Sequence, residues 1–505
     1  MIGHAWTIVV ALILTPLIIG QLGIERYGVW VLVGVVTGYF GLLDFSVANV
    51  FIKYFSEHFA RNEKKEINKV LNTGLVFYAL LALVVIPLGF LLSGAIVNFF
   101  KIPEDLRNEA AFVFRLGLVM FIINLWFSGF KTIQYSLQRM DISNKINIAI
   151  SIPMIAGTIY VLKSGFGLRG LMVNQAGVIC LTGVVDTLMA YRLFSALRFN
   201  PFMFDKKTFR KIFSFGYKMH IAKISSMISW HIDKLLISYF LSVGMVTFYQ
   251  LGSAIVDKCT TSVLLFMRAL MPAFSEMDAL NQRNKLIDGY VISTKYIALF
   301  AVPLFIFIII SASDIMMLWM GSGYERSVWV IRILGVGYLF AVLSGVRSIV
   351  LQAIARPDIE MKAGLVAALL NIPLSIFLIL KMGFNGVVWG TSIALLASVV
   401  YAYIRLHRLL DLPLLNFLKD SILKIIGISV IAGLLSWFLT LNVRGLFFEP
   451  GRINSLISFF VFGILFSLTY FALLILSKPF RKKEIMLVSS YIPSFINRFM
   501  VKLSV

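Results

Sequence analysis

Long apolar runs separated by short polar gaps fill the chain, and the runs have the length of a bilayer crossing. With about 20 apolar residues per crossing, fourteen segments stand out: 2–20, 29–52, 70–92, 111–133, 146–162, 170–191, 213–241, 246–272, 290–312, 328–353, 363–380, 387–404, 423–441 and 456–476. Each is read as a helix, because in lipid a helix satisfies its own backbone hydrogen bonds and an isolated strand does not. The fold expected is an all-α polytopic membrane protein.

The gaps repeat as well as the runs. Arg139, Asp141, Ile142 and Lys145 recur in the second half of the chain as Arg356, Asp358, Ile359 and Lys362. Leu162-Lys163 with Gly165-Phe166 recurs as Leu380-Lys381 with Gly383-Phe384, at an offset that differs by a single position. The first motif joins the fourth run to the fifth and the tenth to the eleventh. The second joins the fifth to the sixth and the eleventh to the twelfth. Two matches in register predict two six-helix lobes of parallel orientation, 1–195 and 213–410, with a substrate path between them. A basic linker, 196–212, holding Pro201, connects the lobes. Two further helices, 411–477, form an appendage. The tail, 478–505, opens with a basic cluster and continues with Ile485, Met486, Leu487, Tyr491, Phe495 and Phe499. It is read either as an interfacial helix on anionic lipid or as a stop-transfer cluster with a loose end.

Charge then orients the helices. With the N-terminus inside, 23 of the 46 Lys and Arg fall in inside segments and 9 in outside segments. By the positive-inside rule both termini are expected in the cytoplasm, with the protein in the cytoplasmic membrane. The formal net charge of +22 is therefore a matter of topology, and a nucleic-acid partner is not expected. Only 14% of residues are charged, well under the roughly 25% of a soluble domain. No basic n-region or small-residue cleavage site precedes the first run, which begins almost at Met1, so the start is read as short by a few residues.

One run carries far more polarity than lipid tolerates. Segment 213–241 holds Lys218, His220, Lys223, His231, Asp233 and Lys234. On a helix His220, Lys223, Met227, Trp230, His231 and Lys234 share an arc of roughly 100°. A lysine at the bilayer centre costs about 2.5–3.5 kcal/mol even on the lenient insertion scale, so this stripe is expected to face protein or a water-filled cavity. Asp44 lies near the middle of the second run, and Asp257 and Lys258 near the middle of the eighth. A cavity with excess Lys and His attracts an anionic group such as a phosphate or pyrophosphate. The other reading of Lys223, His231 and Lys234 is an internal ion pair with Asp233, Asp44 or Asp257 that only holds helices together. Trp230 has two readings, stacking on a sugar ring and ordinary packing. Lys131, Arg347 and Asp186 lie nearer the cytoplasmic ends of their runs, where snorkelling is an ordinary explanation. Gly-rich 34–41 and the prolines at 16, 87, 153, 303 and 373 permit bending within runs.

Several kinds of chemistry find no support. There is no P-loop, HExxH, GxSxG or Cys/His metal spacing, and the two cysteines, Cys180 and Cys259, lie in apolar runs. No catalytic residue, metal or cofactor is expected. His220 and His231 are candidates for proton coupling.

The order of short motifs resembles the polysaccharide-transporter branch of the multidrug/oligosaccharidyl-lipid/polysaccharide exporter superfamily. The motifs are Leu22-Gly23 through Tyr27-Gly28 and Trp30, Leu43-Asp44-Phe45, Phe215-Gly216, His231 with Asp233-Lys234, Val246 with Tyr249, and Pro272 with Ser275. That resemblance implies a two-lobed bundle with a central cationic cavity. It also implies transport of an undecaprenyl-pyrophosphate-linked oligosaccharide from inner to outer leaflet, with coupling to a proton or sodium gradient in some members. Asp44 and Asp233 match positions in the family's pattern. Two other functions are weighed: an ion-coupled drug or metabolite antiporter of the same superfamily, and a non-transporting scaffold for glycosyltransferases or a polysaccharide polymerase. A glycosyltransferase is weaker, since no sizeable soluble loop is present to hold a nucleotide sugar.

Overall fold

The computed structural model describes residues 2–44, 47–267, 270–447 and 451–478, with the side chains of all of these except 2–5, 43, 215–231 and 443–447. Among the described residues no strand forms. The helices are α1 (Ile2–Leu22), α2 (Ile24–Phe40), α3 (Val47–Ala60), α4 (Lys64–Phe99), α5 (Arg107–Ser136), α6 (Met140–Lys163), α7 (Gly167–Leu193), α8 (Lys206–Phe240), α9 (Val243–Met267) and α10 (Leu270–Ala279). After them come α11 (Arg283–Ile310), α12 (Ala312–Trp319), α13 (Glu325–Leu343), α14 (Gly345–Ala353), α15 (Pro357–Met382), α16 (Phe384–Leu410), α17 (Leu414–Leu418), α18 (Lys424–Phe447) and α19 (Arg452–Ser477).

Ten helical stretches among the described residues are long and apolar enough to cross a membrane. The remaining crossings of the fourteen correspond to α1, the pair α2–α3, α8, and the pair α9–α10. The second is broken: a 3₁₀ turn, Gly41–Asp44, follows α2 at the end of the glycine-rich stretch. The tenth is broken too, at Ser344 between α13 and α14. Prolines 16, 87, 153, 303 and 373 all lie inside helices, where lipid-embedded packing tolerates them.

The sequence repeat reappears as a structural one. Gln138 (φ 59°) and Ala355 (φ 55°), the residues just before the two copies of the first motif, both turn the chain in the left-handed region. In each copy an arginine follows, and its guanidinium forks onto the aspartate two residues on. Arg139 Nε lies 2.9 Å from Asp141 Oδ1 and Nη2 3.2 Å from Oδ2; Arg356 and Asp358 give 2.8 and 3.1 Å. A long hairpin then follows, α6–α7 in one copy and α15–α16 in the other. α7 and α16 are each 27 residues long, and the offset that relates the two arginines also relates both of their ends. In the second hairpin the backbones come close at Gly386, where a Cβ would collide with the Leu378 carbonyl.

The chain forms two compact units, Met1–Thr247 and Phe248–Val505. The boundary falls within α9 and not in the linker, so α8 is grouped with the first unit, packed on α2, α3 and α4. Several contacts hold its C-terminal end and the start of α9 there. Ser238 donates to the Phe100 carbonyl, the Tyr239 ring lies 4.9 Å from that of Phe99, and Thr247 donates to the Ile24 carbonyl at 2.7 Å. A Cβ at Gly28 would strike the Val243 carbonyl, so glycine is what lets α2 meet the start of α9. Among the described residues the first unit shows two core clusters. One gathers Val29, Leu32 and Val33 with Val113, Phe114 and Leu171; the other gathers Phe51, Phe55, Leu71, Leu75 and Tyr78.

The linker is ordered. Asn68 and Asn72, one turn apart on α4, present their amides to it as a strand would. Asn68 donates to the Ala196 carbonyl and accepts from the Arg198 N–H at 2.6 Å; Asn72 donates to the Arg198 carbonyl and accepts from the Asn200 N–H at 2.8 Å. Asp205 then caps α8, accepting from the Thr208 N–H and hydroxyl, and these bonds hold its carboxyl below the usual carboxylate range.

In the second unit α11 is central, packed on α13, α18 and α10. The appended α18 and α19 attach through it: Phe307 lies 5.6 Å from Phe462, and Tyr470 donates to the Leu299 carbonyl at 2.8 Å. Residues 479–505, the rest of the expected tail, lie outside the described residues.

Candidate functional site

Helix α8 runs unbroken through the polar stripe, so the periodicity inferred for it holds along the backbone. The side chains of Lys218, His220, Lys223, Trp230 and His231 lie outside the described residues. Asp233 and Lys234 are described, and both are buried, at 1% and 9% exposure. The Asp233 charge acts on Tyr39 of α2, which puts this part of α8 beside α2 within the first unit.

Asp44 occupies the break between α2 and α3 and is buried, its carboxylate accepting a 2.7 Å hydrogen bond from the Tyr78 hydroxyl of α4. Tyr78 is fully buried, so the pair satisfies two groups that lipid or core alone would leave stranded. Asp186 on α7 is the third buried carboxylate of this unit. Gln134 donates to it at 2.9 Å, and half-buried Lys131 acts on it electrostatically. Among the described residues the first unit therefore buries three carboxylates and one lysine.

The second unit reverses that balance. Its buried charged groups among the described residues are Lys295 and Arg347, with His407 as a further buried titratable group. Arg347 of α14 is engaged on several sides: its guanidinium lies 3.3 Å from the Glu360 carboxylate of α15, donates to the Ser348 hydroxyl, and sits over the Tyr403 ring of α16. Asp257 and Lys258 are half-buried on α9. Their backbone carbonyls accept bonds from the Thr261 and Ser262 hydroxyls one turn later, an arrangement that loosens a helix locally. Lys295 was not singled out from the sequence. Its signal was a lone lysine inside the ninth apolar run.

Sequence reasoning also passed over a cavity. Helices α2, α5 and α7 line an open pocket of about 330 Å³ within the first unit, reached by Trp30, Thr37, Phe121, Asn124 and Gln175. Among the described residues none that lines it is charged. No group of three or more His, Cys, Asp or Glu side chains suited to a metal occurs among the described residues.

Comparison with known proteins follows the same outline. A family model described as polysaccharide biosynthesis protein matches residues 22–329. A putative O-antigen transporter of Shigella flexneri is 24% identical over 405 residues, covering 79% of this chain and 94% of the relative. A probable low-salt glycan biosynthesis flippase of Haloferax volcanii is 23% identical over 447 residues, covering 81% and 89%. Among solved structures, the lipid II flippase MurJ superposes with a TM-score of 0.71 at 16% identity, over 93% of this chain and 97% of that one. An inward-facing multidrug transporter of the MATE family gives 0.64 at 15% identity, over 78% and 93%. The fold is thus that of the polytopic all-α exporters.

Proposed function

Because the chain belongs to the polysaccharide biosynthesis protein family, we propose that it is a flippase, not an enzyme, that carries a polyprenyl-pyrophosphate-linked oligosaccharide across the cytoplasmic membrane for cell-surface glycan assembly. The observation that carries the reading is the match of 79% and 81% of this chain to 94% of the putative O-antigen transporter and 89% of the probable glycan flippase. The buried charges within lipid-spanning helices support it, since a protein that merely anchors partners has no need of them.

The physical task is the pyrophosphate. Taking isolated charges through hydrocarbon costs on the order of tens of kcal/mol. Lys223 and Lys234, with His220 and His231, neutralise it from α8 in this account. The sugars cross in water while the polyprenyl tail stays in lipid. Transport proceeds by alternating access and is coupled to a proton or sodium gradient, with His220 and His231 as candidate proton carriers and the buried carboxylates Asp44 and Asp233 as further candidates for the coupling ion. Both termini lie in the cytoplasm, by the distribution of basic residues. A polymerase and glycosyltransferases are the protein partners this role calls for.

The test is mass spectrometry of polyprenyl-linked lipids in a strain lacking the protein. The expected outcome is accumulation of a pyrophosphate-linked oligosaccharide, cleared by the wild type but not by Lys223→Ala/Lys234→Ala, with folded protein at wild-type abundance. Clearance by the double variant would remove the role of the stripe. An unchanged lipid pool would favour an ion-coupled drug or metabolite antiporter; one structure of similar fold is that of a multidrug resistance MATE family transporter.

A further inference from the structure

The cavity among α2, α5 and α7 differs in kind from the charged stripe. From the described lining residues a pyrophosphate would meet no cation and a cationic drug no carboxylate, because none of them is charged. Its polar groups are neutral. The side-chain amides of Asn124 and Gln175 form no hydrogen bond with any other described residue, and both residues are exposed. An amide offers two donors and one acceptor with two lone pairs, which matches the mixed donor and acceptor character of neighbouring sugar hydroxyls. Thr37 spends its proton on the Val33 carbonyl and keeps its oxygen as an acceptor toward the cavity. Two aromatic side chains, Trp30 and Phe121, also line it, beside glycines and the apolar Val33, Met120, Met172 and Ile179. The electron-rich face of such a ring suits the C–H face of a sugar. At about 330 Å³ the space lies at the lower end of the roughly 300–1,000 Å³ typical of small-molecule sites.

We propose that this cavity is a binding site for an uncharged sugar residue of the transported glycan, separate from the groups that take the pyrophosphate. The proposal rests on the flippase reading and assigns the two ends of one head group to different chemistry. Asn124 and Gln175 hold hydroxyls, and Trp30 stacks on the ring. The site is specificity-determining: it reads the sugar, while the cations read what every such lipid shares.

Gly34 gives a clean way to fill the space. A Cβ built there meets no atom within 4 Å, and the residue lies on a helix, where leucine is the better helix former. The experiment has two arms. In the first, neutral oligosaccharide released by mild acid from the cells' own lipid-linked glycan is titrated into purified protein and followed by native mass spectrometry. Gly34→Leu and Asn124→Ala/Gln175→Ala are expected to bind at least about tenfold more weakly than wild type, the scale of losing well-placed hydrogen bonds and stacking. In the second, Gly34→Leu is the sole copy in the cell, and the lipid-linked pool is expected to accumulate although the variant is folded and abundant. No binding of the oligosaccharide by wild type up to millimolar concentration overturns the proposal, as does wild-type behaviour of Gly34→Leu in both arms. Failure of the flippase reading looks different: deleting the protein would then leave the lipid-linked pool unchanged, whereas failure of the sugar site leaves a pool that accumulates on deletion and is cleared by Gly34→Leu.

Discussion

At the scale of single residues, buried charge separates by its partners. Asp44 accepts from Tyr78 at 2.7 Å in a fully buried setting. Asp44→Ala strands that hydroxyl and is expected to cost about 1–3 kcal/mol, seen as earlier thermal unfolding in detergent. Asp44→Asn keeps an acceptor and is expected to unfold close to wild type while losing any ion coupling, measured as the dependence of transport on an imposed gradient. Equal instability of the two variants would contradict the pairing. Arg347 has the contrary signature. Its guanidinium bridges α14, α15 and α16, so Arg347→Ala is expected to lower stability while transport per folded molecule is retained. Loss of transport at full stability would instead make it a substrate contact. The sequence showed that both residues sit in apolar runs. It did not show their partners, because Tyr78 and Glu360 lie on other helices, 34 and 13 positions further on, and are ordinary in their own surroundings.

At the scale of elements, the hairpins α6–α7 and α15–α16 were legible in advance because the turns that lead into them repeat a motif whose chemistry is local: an arginine forked onto an aspartate two residues on. Local rules travel with the sequence. The breaks at Gly41–Asp44 and Ser344 were not placed in advance, since a hydropathy window averages over a single turn. The linker is a similar case. Its basic character and Pro201 were plain, but the two asparagines that fasten it read only as polar residues near the end of a crossing. Their spacing places both amides on one face of α4, which is what a docked extended segment requires. Replacing both, Asn68→Ala/Asn72→Ala, leaves the backbone groups of Ala196, Arg198 and Asn200 without their partners. The expected result is faster proteolytic cutting within 196–205 with little change elsewhere in the peptide map. Unchanged cutting would mean that other contacts hold the linker.

At the scale of the whole molecule, fourteen crossings, the repeated hairpins and the family were all readable from pattern and motif order, and the likeness to MurJ at a TM-score of 0.71 agrees on the fold. The cavity in the first unit was not readable. It is made of neutral residues from the second, fourth and sixth crossings, and no single stretch announces them. Charge drew attention to α8, whereas sugar chemistry needs amides and aromatic faces that are common everywhere and become a site only when the fold gathers them.

The central claim is movement of a lipid-linked glycan between leaflets. The most direct measurement reconstitutes the purified protein in vesicles with a pyrophosphate-linked oligosaccharide on a short polyprenyl chain, and follows its access to a membrane-impermeant glycosidase added outside. Vesicles with the wild type are expected to expose the inner-leaflet pool to digestion in time, and vesicles with Lys223→Ala/Lys234→Ala or without protein to keep it protected. Protection that persists with folded wild-type protein, under an imposed proton gradient and under an imposed sodium gradient alike, would contradict the account.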